Sequence, residues 1–307
     1  MLWRGSGLPS VSSLDEAATA LASAHAEGRR LRIGDDLTAG GLTRVLEHDP
    51  GDLTATVEAG VRLSELRATL AAAGQRLSLD PPGDPTVGAL VALDLSGPLR
   101  HRFGTPRDLV LGATLVLSDG TIASSGGKVV KNVAGYDLAR LVCGSEGRLA
   151  FVGRVSFRLH PLPRAARTVV IETEDTAAVA SALLASQLQP SALDILHPGR
   201  VALLFEGSER AVAAQVAATR SLADVSEVDT AVWDESRERQ AAAKGRVRFA
   251  PGDLAPALER LERAVVRPTA GVAYVPHESA RDDRPGAHAA LLERIRRELD
   301  PYGVLQP

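Results

Sequence analysis

The sequence predicts a mixed α+β protein built from two domains. The chain has 307 residues, which exceeds the length of an average single domain. Helical and extended apolar spacings alternate along it, as in proteins that combine helices with sheets. The prolines of Pro161-Leu162-Pro163 stop both a helix and a central strand, so we place the boundary there. The predicted domains are residues 1–163 and 164–275, followed by a C-terminal segment of residues 276–307.

The first part runs in the order helix, strand, loop, strand, helix. Ser12 or Ser13 is a suitable N-cap for its first helix, and Gly28 ends that helix. Further on, Ser118-Asp119-Gly120 indicates the turn of a hairpin. The predicted elements are helices at 14–26, 63–73 and 137–143 and strands at 30–33, 54–59, 109–117, 121–123 and 149–159.

The second part begins in the order strand, helix, strand, strand, helix, which is the order of a ferredoxin-like fold. Later segments are expected to complete its sheet, and a terminal helix stops at Asp300-Pro301. The predicted elements are strands at 168–172, 192–196 and 201–206 and helices at 176–187, 209–222 and 288–299, and the segments expected to complete the sheet are 247–250, 254–264 and 272–275.

Composition excludes several classes of function. A formal net charge of −3 predicts no general affinity for nucleic acid. Cys143 is the only cysteine, so no intramolecular disulfide can form, and no His/Cys pair has the spacing of a zinc site. The start lacks the apolar stretch of a signal peptide, and no segment reaches the roughly 20 apolar residues of a membrane helix. We therefore expect a cytoplasmic protein that meets the inner face of the membrane, if at all, through partners.

Glycines and lysines are concentrated in the centre of the chain. Gly126-Gly127-Lys128 opens this region, and Lys131, Gly135 and Gly144 follow within a short distance. Glycines at this density indicate positive φ or a close approach of the backbone to another group. The lysines suggest that this group is anionic. A phosphate-bearing cofactor satisfies both conditions.

Five motifs follow one another along the central part of the chain. They are Thr86-Val87-Gly88-Ala89-Leu90, Ser96-Gly97-Pro98, Gly104-Thr105-Pro106-Arg107-Asp108-Leu109-Val110-Leu111-Gly112, Lys128–Leu138 and Gly144-Ser145-Glu146-Gly147-Arg148-Leu149. Together they resemble the FAD-binding domain of the vanillyl-alcohol oxidase or PCMH type, and within it the family of the E subunit of bacterial glycolate oxidase. The similarity is dense over residues 80–160, and residues 300–307 resemble the closing segment of the family.

The resemblance implies a two-subdomain PCMH-type FAD-binding domain followed by a smaller ferredoxin-like α/β cap over the flavin, with the C-terminal segment returning to the FAD domain. It implies that a loop at 86–89 offers main-chain N–H groups to the pyrophosphate and that the turn at 144–149 cradles the flavin. No catalytic residue and no metal ligand is predicted. The candidate cofactor-binding residues are Pro82, Gly83, Thr86, Val87, Gly88, Ala89, Ser96, Gly97, Lys128, Lys131, Asn132, Gly135, Tyr136, Asp137, Gly144, Ser145, Gly147 and Leu149.

Alternative explanations stay open for some of these residues. Lys128 and Lys131 are also compatible with a solvated surface, and Asn132 with the cap of a turn. Asp137 is a suitable N-cap for the helix that follows it. Trp233 is compatible either with a family feature of the cap or with an aromatic residue that packs a helix.

The sequence departs from the family where Asp35 and Asp36 replace loop glycines and where Ala89 replaces the second glycine of its motif. A carboxylate about 5 Å from a pyrophosphate would cost roughly 3 kcal/mol at an effective dielectric near 20. Arg148 and Ala150 are further departures.

Three functions follow from the resemblance and its departures. The first is the FAD-binding subunit of a glycolate oxidase-type 2-hydroxyacid dehydrogenase complex. It would pass electrons from glycolate or D-lactate through the flavin to a partner acceptor, beside a larger FAD-containing catalytic subunit and an iron–sulfur subunit. The alternative is a flavin-free, degenerate structural subunit of the same complex. A stand-alone flavin reductase or oxidase is the third, and the segment 128–137 argues against it.

Overall fold

The computed structural model describes residues 10–127, 137–279 and 287–306. These residues form eleven α-helices, sixteen strands and two short 3-10 helices. The strands are β1 (Leu31–Arg32), β2 (Val45–Asp49), β3 (Thr54–Glu58), β4 (Gln75–Arg76), β5 (Val110–Val116), β6 (Ile122–Gly126), β7 (Phe151–Arg158), β8 (His160–Pro161), β9 (Ala165–Glu172), β10 (Ala192–His197), β11 (Arg200–Gly207), β12 (Ser226–Val228), β13 (Gly245–Arg248), β14 (Ala264–Arg267), β15 (Val272–Val275) and β16 (Leu305–Gln306). The helices are α1 (Leu14–Ala26), α2 (Leu63–Ala71), α3 (Val87–Ala92), α4 (Arg100–Phe103), α5 (Pro106–Leu109), α6 (Leu138–Leu141), α7 (Thr176–Ala185), α8 (Glu209–Arg220), α9 (Ala231–Ala241), α10 (Leu254–Leu258) and α11 (Ala287–Leu299).

The first domain is built on a five-stranded antiparallel sheet in the order β2-β3-β7-β5-β6. Helices α2 and α3 bury their apolar residues in the same core as this sheet; Leu63, Leu66 and Leu70 of α2 are fully buried there. Apolar burial of this kind is the main favourable term that holds helices on a sheet. The sheet and these two helices form the frame on which the candidate site is built.

A smaller layer of the first domain is formed by α1 and by strands β1 and β16. Helix α1 begins at an N-cap, Ser13, whose side chain accepts a hydrogen bond from the Glu16 amide. The predicted bounds of this helix are confirmed. Strand β1 pairs in parallel with β16, so Leu31 lies beside Leu305 and the C-terminal end of the chain returns to the first domain.

The second domain, the cap, contains a seven-stranded sheet in the order β12-β9-β11-β10-β14-β15-β13. It begins with the predicted ferredoxin-like order β9-α7-β10-β11-α8, and the short strand β12, which the sequence did not predict, follows α8. Helices α7, α8 and α10 pack on one face. Helix α9 packs on the other face, where Trp233 is buried and donates its indole N–H to Thr168 Oγ1 at 3.0 Å. The packing role expected for Trp233 is therefore present.

The structure differs from the sequence predictions at several places, and helix α9 and strands β4, β8, β12 and β16 were not predicted. Residues 87–89 are not in a loop, because they form the first turn of α3; the Thr86 side chain accepts from the Ala89 amide at 3.3 Å and caps it. The segment 254–264, expected to complete the cap sheet, forms helix α10 up to Leu258; the sheet gains β14 instead, which begins at Ala264 and pairs with β10 and β15. Strand β2 was not predicted, because it is an exposed edge strand without apolar alternation.

None of the helices in the described ranges combines the length and the apolar character that a membrane-spanning segment needs.

Candidate functional site

Three main-chain segments converge: helix α3 itself, the turn at 144–149 and the loop after β1. The turn at 144–149 is hydrogen-bonded to the end of this helix, since the Gly144 amide donates to Val91 O at 3.0 Å and the Glu146 amide to Ala92 O at 2.8 Å. The same turn contacts the loop after β1, where a Cβ atom added at Gly147 would lie 2.8 Å from Ile33 Cβ. The structure thus brings together two of the motifs and the loop that the sequence singled out.

Glycines let the start of α3 approach the end of β3. The Gly88 amide donates to Ala59 O at 2.7 Å, and a Cβ atom at Gly88 would lie 3.1 Å from Ala59 Cβ. A Cβ atom at Gly60 would lie 2.0 Å from Ala39 O. These positions need glycine because backbone packs against backbone there. Ala89, in contrast, is helical and buried inside α3, so its methyl group introduces no strain.

Asp36 is engaged by its own turn. Its Oδ2 accepts a hydrogen bond from the Arg32 amide at 2.8 Å, while the amides of Asp36 and Leu37 donate back to Arg32 O. Both Asp35 and Asp36 are exposed. The Asp36 carboxylate therefore stabilises the turn after β1, which reduces the electrostatic conflict with a pyrophosphate that the sequence alone suggests.

Polar atoms without partners collect where the three segments meet. Asp94 Oδ1, Ser145 Oγ and Arg148 Nε are buried and have no hydrogen-bond partner within the described ranges. Asp94 has a φ of 48° and Glu146 a φ of 55°, a left-handed conformation that is strained for residues other than glycine. Since buried polar atoms are nearly always hydrogen-bonded, this combination fits a ligand rich in hydroxyl and phosphate oxygens.

Ser96 and Gly97 lie at the boundary with the cap. Ser96 is 3% exposed, and its carbonyl oxygen accepts from Gln240 Nε2 of the cap at 2.9 Å. A Cβ atom at Gly97 would lie 1.8 Å from Asp80 O, so only glycine fits there. Pro82 and Gly83 line a cleft of about 750 Å³ between the two domains, and Gly83 has a φ of 73° with open space beside it.

The remaining predicted residues fall into three groups. Val87 and Leu149 have side chains in the hydrophobic core, so only their main chain is available to a ligand. Asp137 caps α6, with its Oδ1 accepting from the Arg140 amide at 3.1 Å. The others lie outside the described residues: Lys128, Lys131, Asn132, Gly135 and Tyr136.

Residues 36–126 match the family described as FAD binding domain. This chain carries an FAD-binding domain. The match covers α3, its N-cap residue Thr86 and the loop after β1 from residue 36 onward. Of the three converging segments, only the turn at 144–149 lies outside it. The partnerless atoms of Asp94, Ser145 and Arg148, together with the glycines that open the backbone, are chemically suited to its cofactor, FAD.

Curated relatives extend the likeness beyond this domain. The chain is 36% identical over 201 residues to glycolate oxidase subunit GlcE of Escherichia coli, covering 64% of this chain and 56% of that protein. It is 34% identical over 181 residues to glycolate oxidase subunit GlcD of Bacillus subtilis, covering 55% and 38%. It is 32% identical over 179 residues to mitochondrial D-lactate dehydrogenase [cytochrome] 1 of Saccharomyces cerevisiae, covering 56% and 30%. The matches thus span about half of the first relative and less of the other two.

The fold as a whole resembles that of alkyldihydroxyacetonephosphate synthase. The TM-score is 0.70 at 15% identity, over 96% of this chain and 74% of that structure. The likeness covers both the FAD-binding domain and the cap, and it supports the predicted fold class of a PCMH-type domain followed by a smaller α/β cap.

Asp80 stands between the FAD-binding domain and the cap. Its Oδ1 accepts from the Leu99 amide at 3.0 Å, and its Oδ2 lies 3.6 Å from Arg237 Nη1 of the cap. Burial raises the pKa of Asp80 to about 7, against the opposing charges of Arg267 and Arg237. Asp80 is thus a carboxyl group with a strongly perturbed pKa in an interdomain cleft, a property common at functional sites.

Two further observations concern reactive groups. Burial raises the pKa of the Cys143 thiol to about 12, and its Sγ lies 3.4 Å from Ala139 O, so it is a packed, unreactive residue. Within the described part of the chain, no group of three or more His, Cys, Asp or Glu side chains could hold a metal ion.

Sequence reasoning missed Asp80, Asp94, Gln240 and Arg267. None of the four lies in a recognisable motif, and each acquires its role only through residues that are distant in the chain. The sequence did identify the glycine-dense turns, because glycine marks a local requirement for positive φ or for a close approach of the backbone.

Proposed function

We propose that this chain is the FAD-binding subunit of a glycolate oxidase-type 2-hydroxyacid dehydrogenase complex. In this role it passes electrons from glycolate or D-lactate, through its flavin, to a partner acceptor. The observation that carries the proposal is the convergence of three main-chain segments around the partnerless Asp94 Oδ1, Ser145 Oγ and Arg148 Nε. The names of the relatives supply the substrate class and the complex.

The bound flavin supplies the redox chemistry, and the protein contributes binding, orientation and electrostatics. Ser145 Oγ and Arg148 Nε are donors suited to phosphate or ribityl oxygens, and Asp94 Oδ1 is an acceptor suited to a hydroxyl group. Gly83 leaves open space beside the backbone in the cleft at the cap, whereas the backbone at Gly97 packs against Asp80 O. In the proposal, the cap domain, which is built on the seven-stranded sheet, excludes water from the flavin.

We assign the oxidation of the hydroxyacid to the larger catalytic subunit. A buried arginine would be the natural partner of a substrate carboxylate in this cap. Arg267 is such a residue, but its Nε lies 3.3 Å from Asp194 Oδ1, and both side chains are almost completely buried. Its charge is therefore paired with Asp194, while its Nη1 has no hydrogen-bond partner within the described ranges, and on this pairing we assign electron relay rather than substrate oxidation to this chain. An iron–sulfur subunit is the proposed acceptor, and the single cysteine suits a complex in the reducing cytoplasm.

Co-purification with flavin analysis tests the proposal. The chain is expressed alone and together with the two proposed partner subunits, and the absorption near 450 nm and the FAD released on denaturation are measured for each preparation. We expect about one FAD per chain, and anaerobic bleaching by glycolate or D-lactate only in the complex. Ser145→Ala is expected to weaken FAD binding, whereas Ser181→Ala, at an exposed position of α7, serves as the matched control.

A chain that assembles with its partners but contributes no FAD would contradict the proposal and would favour the flavin-free structural subunit. Bleaching of the isolated chain by either hydroxyacid would instead show that substrate oxidation occurs on this subunit.

A further inference from the structure

Gln240 connects the cap to the main chain of the FAD-binding domain. It lies on α9 of the cap, and its Nε2 donates to Ser96 O at 2.9 Å. Ser96 is almost fully buried, and the adjacent Gly97 is buried as well. A second contact follows five residues after Ser96, where His101 Nδ1 lies 3.1 Å from Thr269 Oγ1 of the cap. The segment at 96–101 is therefore the part of the FAD-binding domain that these cap side chains hold.

The orientation of the Gln240 amide is fixed by its other partner. Arg267 Nη2 donates to Gln240 Oε1 at 2.8 Å, and a guanidinium group can only donate. The amide oxygen must therefore face Arg267, which leaves the NH₂ group to face Ser96 O. Arg267 is in turn held by Asp194, whose Oδ2 accepts from Ser236 Oγ at 2.5 Å.

The Ser96–Gly97 segment is held from its other side by Asp80. The backbone at Gly97 lies so close to Asp80 O that a Cβ atom would be 1.8 Å away, and Asp80 Oδ1 accepts from the Leu99 amide. The segment is thus enclosed between Asp80 of its own domain and Gln240 of the cap. A shift of the cap cannot leave the Ser96 carbonyl in place without breaking the Gln240 hydrogen bond.

We propose that Gln240 is a positioning residue for the cofactor, because it fixes the Ser96–Gly97 main chain in register with the buried Arg267–Asp194 pair of the cap. This inference rests on the proposed function and on the family resemblance, which makes Ser96 and Gly97 candidate cofactor-binding residues. Gln240 does not touch the reacting atoms. Through its hydrogen bond to Ser96 O, Gln240 makes the position of the Ser96–Gly97 main chain depend on whether the cap is closed over the FAD-binding domain.

Two substitutions separate the two ends of the Gln240 side chain. Gln240→Glu keeps an oxygen for Arg267 but removes the donor to Ser96 O, whereas Gln240→Met removes both hydrogen bonds. Gln187→Glu, at an exposed position of the cap, is the matched control for the added charge. Each variant is compared with the wild type by FAD titration, by the visible absorption and circular dichroism of the bound flavin, and by hydrogen exchange of the peptide that covers 95–103.

Gln240→Glu is expected to weaken FAD binding about three- to tenfold, the range that follows from the net strength of one hydrogen bond. It should also alter the visible dichroism of the flavin and speed exchange at 95–103, while the thermal midpoint stays near that of the wild type. Gln240→Met should show the same changes together with a lower thermal midpoint. Gln187→Glu should show none of them.

A wild-type chain that binds FAD, together with a Gln240→Glu variant of unchanged affinity, dichroism and exchange, would overturn this inference alone. A wild-type chain without FAD affinity would overturn the proposed function and, with it, the role assigned to Gln240. A lower thermal midpoint without any spectroscopic change would reduce Gln240 to a purely structural residue.

Discussion

Gly147 packs directly against Ile33, with no space for a Cβ atom between the two residues: an added carbon would lie 2.8 Å from Ile33 Cβ. This contact joins the turn at 144–149 to the loop after β1. The same turn is hydrogen-bonded to the end of α3 through Val91 O and Ala92 O. The relationship between Gly147 and Ile33 therefore sets the spacing of the segments that converge at the candidate FAD site.

Gly147→Ala should destabilise the chain more than Gly74→Ala does. Both glycines have positive φ, 77° and 70°, but a Cβ atom at Gly74 meets nothing within 4 Å. The conformational cost of about 1–2 kcal/mol is shared, so the excess at Gly147, about 1–3 kcal/mol, reports the contact with Ile33. Urea denaturation measures both costs. FAD affinity should fall only in Gly147→Ala, and equal costs for the two variants would contradict this account.

Asp36→Ala should not improve FAD binding. The Asp36 carboxylate accepts from the Arg32 amide and holds the turn after β1, so its loss removes about 1 kcal/mol of stability. Asp35→Ala removes an exposed carboxylate next to it without that hydrogen bond, and serves as the control. Isothermal titration with FAD compares the two variants. A tenfold gain in affinity in either would show that these carboxylates oppose the cofactor and would support the flavin-free alternative.

Asp80 should give the chain a distinctive dependence of stability on pH. Burial raises its pKa from 3.8 to about 7, so between these values the folded chain keeps a proton that the unfolded chain releases. The associated stability is complete below about pH 4 and is lost as the pH rises through the folded pKa of about 7. At about 1.4 kcal/mol per pH unit, the loss is on the order of 4 kcal/mol.

Asp80→Asn keeps an acceptor for the Leu99 amide and removes the titration. The free energy of unfolding of the wild type, minus that of this variant, should therefore fall between pH 4.5 and 7.5 in urea denaturation series. The exposed Asp224→Asn provides the control, for which the difference should stay flat. A flat difference for Asp80→Asn would show that its charge is well accommodated in the folded chain.

Arg267→Met should be among the most destabilising single substitutions in the cap. It would leave Asp194 buried without its cation, at a cost of about 3–5 kcal/mol. Arg246→Met is the matched control, since both guanidinium groups lie over the Tyr274 ring, at 5.0 Å and 5.4 Å, but Arg246 is exposed. Its loss should cost about 0.5–1 kcal/mol.

The double variant Arg267→Met with Asp194→Asn should cost less than the sum of the two single variants, because it leaves no unpaired charge in the core. Urea denaturation of the four chains gives this coupling directly. Additive costs would show that the two side chains do not form an energetically coupled pair.

The sequence determined the features that depend on neighbouring residues. Helix α1 has its predicted bounds because Ser13, the first-turn carboxylates and the apolar spacing are all local signals. Local signals also placed the first three strands of the cap near their observed bounds, together with the turns with positive-φ glycines, such as Gly144 and Gly147. Local rules of capping, periodicity and backbone conformation are sufficient for such elements.

Only the tertiary structure decided the rest. The segment 254–264, expected in the cap sheet, begins as helix α10, and the sheet is joined only from Ala264 by β14, which gains two strand partners that local propensity does not contain. Asp80 acquired its raised pKa, and Gln240 its fixed amide, from residues far away in the chain. The physical reason is the same in each case: burial and hydrogen-bond partners across a domain interface exist only once the two domains have closed on each other, and no local pattern encodes them.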